Sequence, residues 1–264
     1  MKKIIILTGL FLSLSVLTAH EYWVAPAQYQ VNPGESFVLN CYVGEDFKPE
    51  VWQRRRERTD QVYIFHHQRK KDVTPLFTAA DSVDILLAVP EKGNHLLALH
   101  SKPSYIELKA EEFNQYLEED GIEDVLAYRK KEGLDAKPSR ELYERCAKTL
   151  LQVGDKTDQT FRQPTGMPLE ILPLMHPSKA KDSLKVQVIF KGQPLTDYRI
   201  RSWCKVNGQL LQKENHRTDA KGVCSIPLRN KGEWMISLVK MEVLSNNPAA
   251  DYHSYWGSYT FYRK

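Results

Sequence analysis

The sequence predicts a mainly β protein with a helical insert near the middle of the chain. Short runs rich in β-branched and aromatic residues occur in both halves, separated by turn residues such as Asn32-Pro33-Gly34 and Asn207-Gly208. Residues 110–153 instead carry apolar side chains at spacings of three and four, which is typical of helices. We therefore expect an N-terminal β-sandwich-like domain with this helical insert, followed by an immunoglobulin- or transthyretin-like β-sandwich.

The first 19 residues have the composition of a signal peptide. Two lysines precede an apolar run over residues 4–17, and Leu17-Thr18-Ala19 supplies small residues for cleavage. This run is shorter than the about 20 residues that a membrane-spanning helix needs. We therefore expect residues 1–19 to be removed and the mature chain, beginning at His20, to be periplasmic or secreted.

Short strand-like runs fill the first part of the mature chain, which we place at residues 20–167. The runs cover residues 28–31, 36–43, 61–65, 83–89 and 95–99, and turn residues at 32–34 and 91–94 separate some of them. Residues 22–24 add an aromatic segment that could pack as an edge strand. Their spacing is typical of a β-sandwich.

The helical insert divides into three predicted helices, at residues 110–119, 122–131 and 139–153. In the first, Phe113, Tyr116 and Leu117 recur at helical spacing. In the last, Ser139 has the position of an N-cap, directly after Pro138.

Residues 154–167 lack periodicity and contain Pro164 and Gly166, which predicts a linker before a second domain at residues 168–264. In that second domain Asn207-Gly208 is the strongest hairpin signal. The predicted strands there cover residues 184–190, 199–206, 209–217, 223–228, 233–243 and 252–262.

Charge and motif content exclude several classes of function. The formal net charge is +4 over 264 residues, and two of the positive charges belong to the leader. This balance argues against a nucleic-acid partner. The chain also lacks a glycine-rich phosphate loop, a Gly-x-Ser-x-Gly elbow and a metal-binding histidine pair on a helix, so we do not expect an enzyme.

The four cysteines are few for a disulfide scaffold, although an exported chain permits disulfides. Cys204 and Cys224 lie in neighbouring predicted strands and form the best candidate pair. Spacing alone does not establish the separation that a disulfide requires. A disulfide and two buried free thiols therefore both remain open.

His20 is the most specific candidate for chemistry. At a free N-terminus its α-amino group and its imidazole can chelate one ion, an arrangement that suits Cu, Ni, Co or Zn. A competent site needs about three or four ligands, so His20 requires partners from elsewhere in the fold. Glu21 could act as a carboxylate ligand or could orient an imidazole.

The candidate partners of His20 are His95, which follows a turn at a strand end, and His253, which lies among C-terminal aromatic residues. We prefer His95. His66 and His67 are adjacent in sequence. Because adjacent side chains of a strand point to opposite faces, we expect at most one of these two in a single site.

Several segments together resemble one exported bacterial family. They are His20-Glu21-Tyr22-Trp23 after a leader and residues 103–108, 113–117, 166–173, 218–222 and 255–261. The family is an uncharacterised-domain family filed with the periplasmic component of ABC-type nickel and cobalt uptake (NikK/NikM-like). The resemblance implies a periplasmic protein that binds nickel, cobalt or copper and works with an ABC-type or ECF-type metal transporter of the inner membrane.

Two other functions are compatible with the same residues. A copper histidine brace at His20 would resemble the site of oxidative polysaccharide-cleaving enzymes. The aromatic residues that would bind a glycan are Tyr22, Trp23, Trp203 and Trp256. Alternatively, the chain would be a cell-envelope interaction module that binds no metal.

Overall fold

The structure is a computed structural model that describes residues 21–50, 59–76 and 84–264. Within these residues strands dominate and helices are few, so the prediction of a mainly β protein is confirmed. The predicted signal peptide and His20 lie outside the described residues. No helix in the described ranges combines the length and apolar character needed to cross a membrane.

The strands of the first half contain most of the runs predicted there. In chain order they are β1 (Glu21–Pro26), β2 (Gln30–Val31), β3 (Ser36–Glu45), β4 (Lys48–Glu50), β5 (Thr59–His66), β6 (Arg69–Asp72), β7 (Asp84–Ala88), β8 (Gly93–Ser101) and β9 (Ser104–Leu108). Two helices follow, α1 (Ala110–Asp120) and α2 (Glu123–Lys131), which confirms the first two predicted helices.

The remaining strands follow the helices. They are β10 (Ser139–Val153), β11 (Leu169–Pro173), β12 (Ser183–Phe190), β13 (Gln193–Pro194), β14 (Arg199–Val206), β15 (Gln209–Arg217), β16 (Val223–Pro227), β17 (Gly232–Val243) and β18 (Tyr252–Arg263). Asn207 and Gly208 join β14 to β15 with φ angles of 49° and 78°, the left-handed pair that a type I′ hairpin requires.

The strands of the described chain form one large sheet and two smaller ones. The large sheet has the order β15-β14-β17-β18-β10-β8-β5-β6, and β2 and β9 also pair with β10. The first small sheet contains β1, β3, β4 and β7, and the second contains β11, β12, β13 and β16. The large sheet includes strands from both sides of residue 168, so the two predicted parts share it.

The small sheets cover opposite faces of the large sheet where β5, β8 and β10 lie side by side. On β8, Leu97 and Leu99 pack with residues of β1, β3 and β7. The alternate residues Leu96 and Ala98 pack with residues of β11, β12 and β16. Since side chains alternate between faces along a strand, β8 is buried on both sides and the fold has three β layers here.

The third predicted helix, over residues 139–153, was wrong because this segment is strand β10. β10 lies between β18 on one edge and β8 and β9 on the other. Residues Cys146–Leu151 are buried continuously, so the polar and apolar alternation that marks a strand is hidden. Ser139 begins a strand and caps no helix.

The helices pack against the large sheet near the end of β17. Phe113 and Leu117 of α1 and Val125 of α2 share a core cluster with Val239 and Met241. The apolar spacing that predicts these helices therefore corresponds to the face they bury.

All four cysteines are buried free thiols. Of the two arrangements left open for Cys204 and Cys224, the structure contains the unpaired one. Burial raises the pKa of each of these two thiols to about 12, so both are protonated at neutral pH.

Candidate metal site

Two histidines meet where strands β5 and β8 end side by side. Ile64 lies opposite Leu97 in the antiparallel register, and continuing this register by two residues brings His66 opposite His95. The two imidazole rings are stacked, with centroids 4.2 Å apart and planes inclined by 7°. His95, the preferred partner of His20, thus lies against His66, and its role as a metal ligand stays a prediction.

His67 joins this cluster because strand β5 ends at His66. His67 and Gln68 form the turn to β6 with φ angles of 45° and 66°, and the ring of His67 lies 4.2 Å from that of His66. The expectation that the two adjacent histidines point apart was wrong, since alternation applies within a strand and not at its corner. Left-handed backbone costs a residue other than glycine roughly 1–2 kcal/mol, and such strain is concentrated at functional sites.

Asp158 brings a carboxylate to the same corner from the segment after β10. It caps a short 3₁₀ turn, Gln159–Arg162, by accepting a hydrogen bond from Thr160 N (2.8 Å). Its other oxygen accepts one from Asn94 N (2.9 Å). Burial acts to raise the pKa of Asp158, but these hydrogen bonds outweigh it and hold the pKa below its usual value.

One donor atom from each of His66, His67 and Asp158 lies within 4.8 Å of the other two. The distance from His67 Nε2 to Asp158 Oδ2 is 3.6 Å. Ligands about 2.1 Å from a tetrahedral ion are about 3.4 Å apart, so little movement would bring this pair onto one metal. Two imidazoles and a carboxylate suit Zn, Cu, Ni or Co.

The hydrogen bonds of the stacked histidines leave one nitrogen of each ring available. His66 Nδ1 donates to the carbonyl of Asn94 (2.9 Å), so its Nε2 carries a lone pair. His95 Nε2 donates to the carbonyl of Glu91 (2.9 Å), and its buried Nδ1 has no hydrogen-bond partner among the described residues. Burial also lowers the pKa of His95, which keeps the ring neutral. Metal-binding histidines are commonly oriented by such a bond to a carbonyl.

Gly93 allows the carboxylate of Asp158 and the imidazole of His66 to approach each other. Its φ is +132°, and an added Cβ would lie 2.4 Å from Asp158 Oδ2 and 3.0 Å from His66 Cε1. Glycine is therefore required here for both conformation and space.

His176 supports the corner and does not offer a free nitrogen. Its Nδ1 accepts a hydrogen bond from Ser178 N (3.2 Å), and its Nε2 lies 3.1 Å from Asn94 Oδ1. The same Asn94 oxygen accepts from Asp158 N (2.8 Å). Burial lowers the pKa of His176 to about 4, so the ring is neutral and positions Asn94.

His253 belongs to a different cluster. Its Nε2 is 3.0 Å from one oxygen of Glu144, and His100 Nε2 is 2.5 Å from the other oxygen. Burial acts to raise the pKa of Glu144, but the two imidazoles outweigh it and lower the pKa to about 2. This carboxylate therefore stays ionised between the two rings.

The structure does not bring His95 and His253 together. Along β10, His95 is paired with Leu151 and His253 with Leu142. These positions are nine residues apart, which corresponds to roughly 30 Å along a strand. His95 also shares the face of Leu97, towards the first small sheet, whereas His253 lies on the opposite face.

His20 lies outside the described residues, so its role as a ligand stays a prediction. The neighbouring Glu21 is buried and is not part of the group formed by His66, His67 and Asp158. It lies 3.5 Å from Arg201, which also pairs with Asp120. Burial raises the pKa of Glu21 to about 7, partly opposed by the positive charge of Arg201.

Trp23 and Trp203 do not form the exposed aromatic surface that glycan binding would need. Trp23 and Trp203 are 1% and 0% exposed, and they pack together in one core cluster. Aromatic residues in these strands therefore stabilise the interior.

Neither Asp158 nor the approach of His66 and His67 to each other was predicted from the sequence. Asp158 lies in the segment interpreted as a linker, and its position depends on contacts with β8 that no local pattern records. The histidine pair did carry a signal, because the strand-like run at residues 61–65 ends directly before it.

Taken together, the fold and this cluster define a mainly β protein with a candidate transition-metal site. The chain belongs to the family described as DUF4198, a domain of unknown function, whose sequence model matches residues 17–242. This confirms the expected membership of an uncharacterised-domain family. A comparison with curated proteins gave no match.

Similarities to solved structures are weak. The D0-D1 domain of intimin is 9% identical, with 90% of this chain and 97% of that chain covered and a TM-score of 0.21. Trypsin-activated α2-macroglobulin from Escherichia coli is 9% identical, with 93% and 16% covered and a TM-score of 0.24. A marsupial T cell receptor is 10% identical, with 90% and 73% covered and a TM-score of 0.22. TM-scores of this size carry no argument about function.

Proposed function

We propose that this protein binds a divalent transition metal through His66, His67 and Asp158. The observation that carries the proposal is the convergence of two imidazoles and an ionised carboxylate within 4.8 Å. The hydrogen bond from His66 Nδ1 to a backbone carbonyl supports it, because it fixes the tautomer that leaves Nε2 free to bind.

The open side of the cluster supports a role in carrying metal. The side chain of His67 is 59% exposed and that of Asp158 is 13% exposed, so an ion can enter from solvent. Three protein ligands leave at least one coordination position free, whereas structural sites are usually closed by four. Exchange of the ion with another molecule is thus compatible with this geometry.

The proposed cellular role is handling of nickel, cobalt or copper outside the cytoplasm. Support for export comes from the leader-like composition of residues 1–19. The resemblance to a family filed with nickel and cobalt uptake supports delivery to an ABC-type or ECF-type transporter. In this proposal His20 of the processed chain is an additional metal-binding group.

The test is isothermal titration of the purified mature chain with Ni²⁺, Co²⁺, Cu²⁺ and Zn²⁺. We expect about one ion per chain at the cluster, and at least tenfold weaker binding in His67→Ala and Asp158→Asn. His253→Ala is the matched control, since it removes a histidine from the separate Glu144 cluster and should bind as the wild type does.

Two results would contradict the proposal. One is a wild-type chain that takes up no ion at the cluster, and the other is equal affinity in the wild type and in both cluster variants. Circular dichroism of each variant separates loss of ligands from loss of fold. His20→Ala, compared with the wild type, measures the contribution predicted for the N-terminal histidine.

A further inference from the structure

A cleft of about 390 Å³ opens directly beside the proposed metal site. His67 forms part of its wall, together with Gln68 from the same turn and Thr160, Arg162 and Gln163 from the segment after β10. Its volume lies within the range of about 300–1,000 Å³ that is usual for small-molecule sites. The cleft and the metal site thus share one ligand residue.

The chemistry of the cleft favours an anion. Arg162 is exposed, and within the described ranges it forms no ion pair. Glutamine side chains supply amide donors, and none of the described residues that line the cleft is acidic. An arginine that is not engaged by a carboxylate of the protein is suited to bind one from a ligand in a bidentate manner.

The metal site itself leaves room for a ligand from solution. Three protein donors complete neither a four-coordinate nor a six-coordinate ion, so the remaining positions must be filled by water or by another molecule. A chelator bound to the metal beside His67 would extend towards Arg162, because both residues line the same cleft.

We propose that the cleft binds a small carboxylate-bearing chelator, so that the protein takes the metal as a metal–chelator complex. This inference rests on the proposed function, since it requires an ion at His66, His67 and Asp158. One carboxylate of the chelator pairs with Arg162, and its other donors remain on the metal. No covalent bond is formed or broken.

The experiment is equilibrium dialysis of the mature chain with radiolabelled citrate or radiolabelled L-histidine, each with and without Ni²⁺. These two probes separate a polycarboxylate from an amino-acid chelator. We expect one of them to be retained at about one per chain only when Ni²⁺ is present. Arg162→Gln should weaken this retention at least tenfold and leave binding of Ni²⁺ alone unchanged.

Lys179→Gln is the matched control, because Lys179 lines a neighbouring cleft that also contains Asp158 but not Arg162. It should retain the chelator as the wild type does. Binding of Ni²⁺ without retention of either chelator would overturn this inference and leave the proposed function standing. Equal retention in Arg162→Gln and the wild type would also overturn it, and a chain that binds no Ni²⁺ would overturn both proposals.

Discussion

At the scale of single residues, Gly93 determines how closely a carboxylate and an imidazole approach each other. Its missing side chain leaves the space in which Asp158 Oδ2 and His66 Cε1 lie. The residue provides no donor atom, yet the geometry of the proposed ligands depends on it. Site geometry therefore depends on residues beyond the ligands.

We expect Gly93→Ala to weaken metal binding at least tenfold without removing any ligand. The new methyl group must displace the Asp158 carboxylate, since the two would otherwise be 2.4 Å apart. The measurement is the same titration with Ni²⁺. Gly208→Ala is the control, because it strains a turn with no atom within 4 Å of the added Cβ, and equal affinity in both variants would contradict the prediction.

Arg129 is a buried charged residue whose hydrogen-bond partners are uncharged. It is 1% exposed. It donates to Ser139 Oγ (2.5 Å) and to the carbonyls of Leu134 (2.7 Å) and Lys137 (2.8 Å). The serine that the sequence suggested as a helix cap thus receives a hydrogen bond from a buried guanidinium.

Replacement of Arg129 by methionine should lower the free energy of unfolding by about 2–4 kcal/mol, because the buried Ser139 hydroxyl and the partly buried carbonyls of Leu134 and Lys137 lose their donor. Urea denaturation followed by circular dichroism measures the change. The exposed neighbour Lys130 provides the control variant Lys130→Met, which should lie within about 0.5 kcal/mol of the wild type. A loss of similar size in both variants would contradict the role assigned to Arg129.

At the scale of elements, an ion pair joins the large sheet to the sheet that contains β11. Lys148 of β10 lies 2.9 Å from Glu170 of β11, and the two side chains are 1% and 7% exposed. Glu170 also accepts hydrogen bonds from the backbone N–H groups of Thr165 and Gly166. The pair therefore fixes the start of β11 against β10.

We expect Lys148→Met to destabilise the protein by about 3–5 kcal/mol, because it leaves the buried carboxylate of Glu170 without its partner. The double variant Lys148→Met/Glu170→Gln should be more stable than the single one. Urea denaturation of the four proteins of this cycle measures the coupling. A double variant no more stable than Lys148→Met would show that the buried charge is not the cause.

The elements also show which parts of the fold the sequence could predict. Strands β14 and β15 have the predicted bounds, since the Asn207-Gly208 turn and the adjoining strand residues encode the hairpin locally. β10 was not predictable in this way. Its strand conformation comes from partners far away in sequence, and burial on both faces removes the alternation that would mark it.

The same distinction holds for the candidate site. The position of His95 after a turn at the start of a strand could be read from the sequence, and this residue stacks on His66, although it is not one of the three proposed ligands. The cluster of His67 with Asp158 was not predictable, because it forms between a hairpin corner and a segment without periodicity. Only tertiary packing brings His67 Nε2 to 3.6 Å from Asp158 Oδ2.

At the scale of the whole molecule, buried carboxyl groups couple folding to pH in opposite directions. Burial raises the pKa of Glu141 and of Glu21 to about 7 from 4.5. Each binds a proton more readily in the folded state, so its contribution to stability is lost as pH rises from about 4.5 to about 7. Glu144 has its pKa lowered to about 2, so its contribution is lost as pH falls from about 4.5 to about 2.

These three carboxyl groups together predict that thermal denaturation between pH 3 and pH 8 will show the highest stability near pH 4.5. Stability falls less steeply between pH 4.5 and pH 7 in Glu141→Gln than in the wild type, because the variant lacks one titrating group. The slope of the unfolding free energy against pH should change by the equivalent of up to one bound proton. Glu144→Gln is the complementary control and should flatten only the acid side. An unchanged slope in Glu141→Gln would contradict the protonated state assigned to Glu141.

The parallel pairing of β10 with β18 has a consequence for the order in which the chain can fold. Arg140 and Asp251, which bond beside this pairing, are 111 residues apart in sequence. Contacts of such long range make folding slow, because the intervening chain must lose its freedom before the strands can meet. Until β18 is in place, β10 presents an unpaired edge to other chains. During synthesis, aggregation through the exposed edge of β10 therefore competes with the pairing of β10 and β18.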